Sequence, residues 1–543
     1  MSALPPPVDL GLPDKFRSWY PGQDDLILTM TESDRRFICM ESPTGSGKSL
    51  SYTTLAHLLG GRWVILTSTK GLQDQLAGDF RSMGMVDVRG KSNYDCIYLQ
   101  YTGSYGNCDI GPCHSGMMCQ YRTPYGEGCH YFDAVERAKR ANLVVTNYSY
   151  WLAINHYTDE GLGDFDGIIL DEAHEAPEEV SSFLAVELLP GELDLTAGAH
   201  PSPDCGDLDK WSAWARGKTQ YVESYVTTIG AVLKSGSGGR ADSKRYTEYK
   251  RILDKLKRIS TLSSTRTDWV HESIGQKGSH AKGVRFTPIW PGPYTESVLF
   301  HGIPKVVFSS ATVTPKTIEL LGVDLRDTSY LHGISTFPVA SRPVVFVKTA
   351  DMTTRGTESD FKWWVNRIDQ ITKARMDRKG ILHTVSYARA EKFMRMSKLA
   401  DLGVHYTNLK ESTYRMVEKF RAADPPALMV SPSLSTGYDF PMEECEYQII
   451  GKIAFPDTRS ALMEARCKAD PTYSAYLAMQ NLIQSCGRGM RSPTDRCETL
   501  VIDNSFEWFI KRHRDFAPPW FHAAVRRSDT VPDPLPKLGK KKD

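Results

Sequence analysis

The stretch Glu41-Ser42-Pro43-Thr44-Gly45-Ser46-Gly47-Lys48-Ser49 constrains this chain more than any other. A short apolar run, Phe37-Ile38-Cys39-Met40, precedes it and predicts a buried strand, while Leu50 to Leu59 predicts a helix behind it. A strand, a glycine-rich turn and a helix together make an anion site. Gly45 and Gly47 let the backbone curl so that its N–H groups point inward, and the helix N-terminus adds a partial positive charge. Thr44, Gly45, Ser46 and Gly47 form the expected phosphate cradle. Lys48 reaches the β and γ phosphates, and the Ser49 hydroxyl ligates Mg²⁺. Ser42 stands where such a pattern usually opens with Gly; the slot needs a small residue, and Ser is small. The alternative is a surface loop with a chance Gly-Lys-Ser, and the flanking strand and helix argue against it.

The chain has 543 residues, enough for three or more domains. Lys plus Arg number 66 against 65 acidic residues, a net charge of +1, so a nucleic-acid partner needs a local basic groove. Met1 to Pro13 lacks a basic start and an apolar core, so no signal peptide is expected, and no apolar run is long enough to span a bilayer. Eleven cysteines without a secretion signal argue for reduced thiols or metal ligands over disulfides. The expected compartment is the cytoplasm, that of the host if a mobile element or virus encodes the chain.

Upstream of the loop, Gln23 follows the turn at Pro21-Gly22 and is suited to both edges of adenine, with an ordinary surface glutamine as the alternative. After the strand Trp63 to Thr69, five cysteines crowd one window: Cys96, Cys108, Cys113, Cys119 and Cys129. That window is punctuated by Gly and Pro and buries too little to fold alone, so a metal centre is a natural staple. A four-thiolate iron–sulfur cluster, a zinc site and unligated thiols compete, and the paired C-x-x-C spacing that zinc often uses is absent. Four ligands from five cysteines are read as Cys96, Cys113, Cys119 and Cys129, with Cys108 as the alternative.

Gly167 to Leu170 then delivers Asp171 and Glu172 at a strand's C-terminal end, followed by His174. Asp171 is suited to hold Mg²⁺, Glu172 to orient or deprotonate an attacking water, and His174 to relay to a second domain. From about Ala176 to Phe300 helical spacing takes over, with Lys and Arg on the outer faces of a hairpin; nucleic acid or plain solvent are both open as partners of that face. Ser310 and Thr312 end a later strand. After Val344 a second α/β unit begins and closes with Gln484-Ser485-Cys486-Gly487-Arg488-Gly489-Met490-Arg491. Arg488 and Arg491, three apart on a helix, are the expected arginine fingers. The tail from Leu535 is short, basic and expected to be disordered.

FRSWYPGQ, SPTGSGKS, LTSTKGLQDQL, VVTNY, LDEAH, FSSAT, ILHTVSY, STGYDF and QSCGRGMR stand in one order along most of the chain. In that order they resemble the superfamily 2 helicases of the XPD/DinG type. The resemblance implies an α/β fold of two RecA-like motor domains, parallel sheets flanked by helices, with an iron–sulfur insertion and a helical arch insertion in the first. It implies motor domain 1 in residues 1–94, 131–176 and 300–340, a [4Fe-4S] domain in 95–130, an arch in 177–299, motor domain 2 in 341–530 and a basic tail in 531–543. It implies ATP and Mg²⁺ in the cleft, Lys48, Glu172, Gln484, Arg488 and Arg491 as catalytic residues, and Asp439 of the STGYDF turn beside the nucleotide. It also implies a monomer translocating 5′→3′ on single-stranded DNA and unwinding forks, with RNA–DNA hybrids as a further substrate. A translocase that strips protein or RNA without strong unwinding, and a non-catalytic DNA-binding scaffold, are the rivals. In relatives the last cluster cysteine is commonly followed by Pro; His130 stands there in this chain, and the cysteine spacing is compressed.

Overall fold

The computed structural model describes residues 4–537 apart from 104, 116–118, 122–127, 158–160, 236, 264–267, 276–281, 336, 351–355, 407–408, 433–437, 439, 488 and 491–494. Apolar runs with no alternation need cover on both faces, the condition met by a parallel sheet with helices on each side. Seven parallel strands satisfy it first. In spatial order they are Thr328–His332, Phe37–Glu41, Lys305–Ser310, Gly167–Asp171, Trp63–Thr67, Leu143–Asn147 and Val86–Asp87. Every residue of Phe37–Glu41, Gly167–Asp171 and Trp63–Thr67 is buried.

A second seven-stranded parallel sheet has the order His405–Tyr406, Ala427–Ser431, Lys379–His383, Tyr447–Ile450, Glu498–Asp503, Val344–Ala350 and Val525–Ser528. The two sheets are the two RecA-like units that the sequence predicts.

Register decides where the chemistry falls. In the first sheet Glu41 pairs with Ser310, and Asp171 with Ser309. Three adjacent strands therefore end level, and the phosphate loop, Ser310 and the Asp171-Glu172 pair emerge side by side at their C-terminal ends, where α/β sheets present ligands.

Between the neighbouring strands Gly167–Asp171 and Lys305–Ser310 the chain makes a long excursion. Its helices Leu208–Lys234 and Arg240–Ile259 pack as a hairpin on a core that includes Trp211, Ile252, Leu256 and Phe286. The Asp207 carboxylate caps the first helix by accepting from the N–H groups of Asp209 and Lys210. An antiparallel sheet of Val186–Leu188, Lys282–Pro288 and Trp269–Gly275 forms the base of the hairpin, an element the helical periodicity did not predict. The cysteine segment lies between Val86–Asp87 and the helix His130–Arg140, and Cys96, Cys108 and Cys129 join the first sheet's core.

The two units meet along polar contacts with an apolar patch. Arg466, 3% exposed, donates to Ser181 Oγ (2.7 Å) and Glu178 Oε2 (3.0 Å). Tyr476 and Thr317 share a hydrogen bond of 2.8 Å beside an apolar contact among Leu320, Tyr473 and Tyr476. Among the described residues no helix is long and apolar enough to cross a membrane.

Candidate nucleotide site between the two sheets

A cavity of about 750 Å³ opens where the two units face each other. Its floor is the phosphate loop. Gly45 and Gly47 both take positive φ, +74° and +77°, a conformation that disfavours side chains. Space forbids them as well: a Cβ on Gly45 would fall 2.2 Å from the Phe337 ring, and one on Gly47 2.7 Å from Gln23 Nε2. Ser46 Oγ is buried and has no hydrogen-bond partner among the described residues, an open donor in the cradle. Ser42 fits its slot because Gly333 presses against it; a Cβ on Gly333 would fall 2.0 Å from Ser42 Oγ. The helix Lys48–Leu59 starts directly at the cavity with Lys48 and Ser49 on its lining.

Gln23 is almost fully buried at 4% exposure. Its Nε2 donates to Gly47 O and to Ser51 Oγ, both at 3.0 Å, and its Oε1 accepts from Tyr20 N–H at 3.0 Å. Both amide donors are thus spent on the loop and its helix. Gln23 braces the cradle in this arrangement, where the sequence reading aimed it at adenine. Phe16 and Tyr20, which the sequence reading passed over, line the cavity beside it.

The wall above the loop carries Asp171 and Glu172. Burial and the neighbouring Glu172 push the Asp171 carboxyl up, against the pull of Lys48. Glu172 moves the other way: burial alone would raise it, but Lys48, His174 and Ser310 outweigh burial and hold it below the usual carboxylate range. Its backbone sits at φ +49°, a left-handed conformation uncommon outside glycine.

A hydrogen-bond chain runs from Glu172 to the other unit. Ser310 Oγ donates to Glu172 Oε2 (3.2 Å) and contacts His174 Nδ1 (2.7 Å). The far ring nitrogen, His174 Nε2, meets the side-chain amide of Gln484. With the proton on Nδ1, every partner has its complement: Gln484 donates to Nε2, Nδ1–H donates to Ser310, and Ser310 donates to Glu172. Thr312 N–H adds a bond to Ser310 Oγ at 3.1 Å. By contrast Thr67 is fully buried, with its hydroxyl directed at the carbonyls of Thr69 and Thr146, and Thr69 caps the helix Lys70–Asp79.

Gln484 lies near the end of the helix Tyr473–Cys486. The next turn reaches the loop itself, since a Cβ on Gly487 would lie 3.7 Å from Thr44 Oγ1. Arg488, Arg491 and Asp439 lie outside the described residues. Trp520, which no motif marked, enters the cavity from the second unit. Its Nε1–H donates to Glu41 Oε1 at 2.9 Å, directly at the root of the phosphate loop.

Residues 370–523 match the Helicase C-terminal domain family, and residues 18–197 match the family described as type III restriction enzyme, res subunit. The two matches cover the loop wall and the Gln484 wall, the pair that the geometry joins. The chain carries a helicase C-terminal domain and is similar to the XPD/DinG-like superfamily 2 helicases. It is 21% identical to the ATP-dependent DNA helicase YoaA of Haemophilus influenzae over 86% of this chain and 88% of that one. Its fold is similar to a solved XPD helicase, with a TM-score of 0.57 and 13% identity over 94% of this chain and 98% of the other. It is similar also to Xpd4 of S. tokodaii, with a TM-score of 0.55 and 12% identity over 94% and 100%.

The cysteine segment is a second candidate site. The Cys108 thiol donates to Asp95 O at 3.5 Å and lies beside the Cys129 thiol, with Cys96 and Cys113 in electrostatic reach. Cys129 stands at the start of the helix His130–Arg140, and the N–H groups of Tyr131 and Phe132 add to the pull of Cys108 that lowers its thiol to about 6. The sequence reading held Cys108 in reserve, yet its thiol lies in the middle of the group. The donor chemistry suits a soft, thiolate-held centre. At the distances observed, no three donors among the described residues stand close enough to hold a metal ion.

Proposed function

We propose that this chain is an ATP-driven motor that moves 5′→3′ along single-stranded DNA and unwinds duplex at forks. The observation that carries the reading is the contact of Gln484, from the second unit, with His174, two residues from Glu172 in the first. It ties the hydrolytic carboxylate to the wall that must move.

In this reading the loop N–H groups and Lys48 hold the triphosphate, and Ser49 and Asp171 hold Mg²⁺, which neutralises phosphate charge. Glu172, kept charged by Lys48 and His174, takes the proton of the attacking water. Arg488 and Arg491 reach in from the second unit, a contribution of about 10³–10⁵ in rate for such fingers. Asp439 is assigned to the nucleotide as well. Closure around ATP and release after hydrolysis alternate the grip of the two units on DNA, and a strand held differently in the two states is carried along. Backbone contacts make that grip sequence-tolerant and salt-sensitive. RNA–DNA hybrids fall within the same chemistry, and a monomer in the cytoplasm suffices for it.

We infer also that the cysteine segment holds a [4Fe-4S] cluster; five cysteines in one window and the neighbouring Cys108 and Cys129 thiols at the start of the helix His130–Arg140 support it. No catalytic step passes through the cluster.

The test is unwinding of forked duplexes with one labelled tail, with and without ATP. Unwinding from a 5′ tail that Lys48→Ala abolishes is expected. Unwinding from a 3′ tail alone contradicts the direction. ATP hydrolysis with protein displacement but no unwinding favours the translocase.

A further inference from the structure

We propose that the helical hairpin carries a second site for single-stranded nucleic acid, a stacking platform of Tyr221, Tyr225 and Tyr249 set among basic side chains, apart from the nucleotide cleft. Charge points there first. The helices Leu208–Lys234 and Arg240–Ile259 hold twelve Lys and Arg against five Asp and Glu, +7 in a chain of +1 overall. This is the local basic surface that a nearly neutral chain needs for a polyanion. Some of these cations are spent internally: Lys255 on Glu192 at 2.6 Å, Lys257 on Glu223 at 3.0 Å, and Arg258 on the Leu184 carbonyl. Lys244, Arg245 and Lys250 are exposed and make no ion pair among the described residues.

Beside them runs an aromatic row. Trp214, Lys218, Tyr221 and Tyr225 are spaced four, three and four residues apart, so they share one face of their helix. Trp214 packs into the base of the hairpin, while Tyr221 and Tyr225 stand 42% and 44% exposed. Their ring centroids lie 6.1 Å apart, and Tyr225 stacks on Tyr249 across the hairpin at 4.8 Å and 27°. Arg245 sits one turn from Tyr249 on the same face. The hairpin core of Trp211, Val222, Ile252 and Leu256 closes without the two exposed rings. Isolated exposed tyrosines are ordinary; open rings backed by a third and flanked by unpaired cations form the combination on which unpaired bases stack while phosphates are neutralised. The inference deepens the motor reading by giving the strand a second hold, and rests on that reading for the identity of the polymer.

The test uses the full chain with fluorescent oligothymidylate and oligouridylate, followed by anisotropy, nucleic-acid-stimulated ATPase, and photocrosslinking of bromouridine-substituted strands. Tyr221→Ala with Tyr225→Ala should weaken binding about ten-fold or more. Tyr221→Phe with Tyr225→Phe should bind as wild type, stimulated hydrolysis at saturating strand should persist in both, and crosslinks should map to Tyr221 or Tyr225. The two polymers show whether the platform prefers DNA or RNA. Wild-type affinity in the Ala pair, equal loss in the Phe pair, or crosslinks confined to other elements overturns the platform while stimulated ATPase leaves the motor standing. Absence of both binding and stimulation in wild type removes the two together.

Discussion

Gln484 and His174 touch across the boundary between the two parallel sheets, with Ser310 passing the contact on to Glu172. If the chain transmits the position of the second unit to the hydrolytic carboxylate, the two side chains must be energetically coupled. Gln484→Ala and His174→Ala should each lower the hydrolysis rate while leaving ATP affinity nearly unchanged. Combined, they should fall short of additivity by about 0.5–3 kcal/mol. A double-mutant cycle on kcat with nucleic acid present measures this, and strict additivity means that the contact carries nothing.

A second contact joins the units at the root of the loop. Glu41 is buried, holding Trp520 Nε1–H at 2.9 Å and His332 Nδ1 at 2.6 Å. Trp520→Phe leaves the carboxyl short of a donor and should cost about 1–3 kcal/mol of stability. Thermal melts of that variant should show the loss, and an unchanged melting temperature would remove the contact from the interface.

The same carboxyl yields a pH prediction. Burial raises it above its ordinary 4.5, against His332, Trp520 and Lys48. A raised carboxyl stabilises the fold fully below its unfolded value, and that stabilisation is lost as pH climbs through the folded one. Glu41→Gln is neutral at every pH, so its melting temperature should gain on wild type as pH rises from about 4.5 through the raised value. A gap that does not change with pH contradicts the assignment.

In the second unit Arg375 and Glu498 form a buried two-pronged ion pair at 2.8 and 2.7 Å, with side chains 0% and 2% exposed. Arg375→Ala strands a buried carboxylate and should cost about 3–5 kcal/mol. Replacing both residues with apolar side chains of similar volume should recover most of that. Urea unfolding of the three proteins decides it.

Much of the site was legible because its chemistry is local. The loop, the Asp171-Glu172 pair and Ser310 each end an apolar strand run, and parallel pairing brings such ends together. The runs marked α/β units, and the two-motor fold class came from the resemblance carried by the ordered motifs. Gln23 shows the limit: a glutamine at that spacing reaches either a base or the loop, and only the packed structure shows its amide spent on Gly47 and Ser51. Trp520 and Arg375 belong to no motif and meet partners far along the chain, so nothing in their neighbourhoods announced them. The small sheet at the base of the hairpin escaped because the long helices Leu208–Lys234 and Arg240–Ile259 separate Val186–Leu188 from its partner Lys282–Pro288, and their strong helical spacing dominates the segment.

The cysteine segment makes its own prediction. Protein purified without oxygen should carry about four iron atoms per chain with a visible charge-transfer band. Cys129→Ser should lose the iron, while Cys205→Ser, outside the segment, should keep it. Comparing Cys108→Ser with Cys119→Ser decides which of those thiols is the spare. Iron-free protein that keeps its fold and binds zinc instead would replace the cluster with a zinc site.

The most direct test of the two-walled motor is single-turnover ATP hydrolysis on single-stranded DNA, with nucleotide binding followed separately. Glu172→Gln, from the first wall, and Arg488→Ala, from the second, should both bind ATP and both lose hydrolysis, the arginine variant by about 10³-fold or more. Wild-type hydrolysis by Arg488→Ala would mean that the second unit supplies nothing to the triphosphate, and the account would fail there.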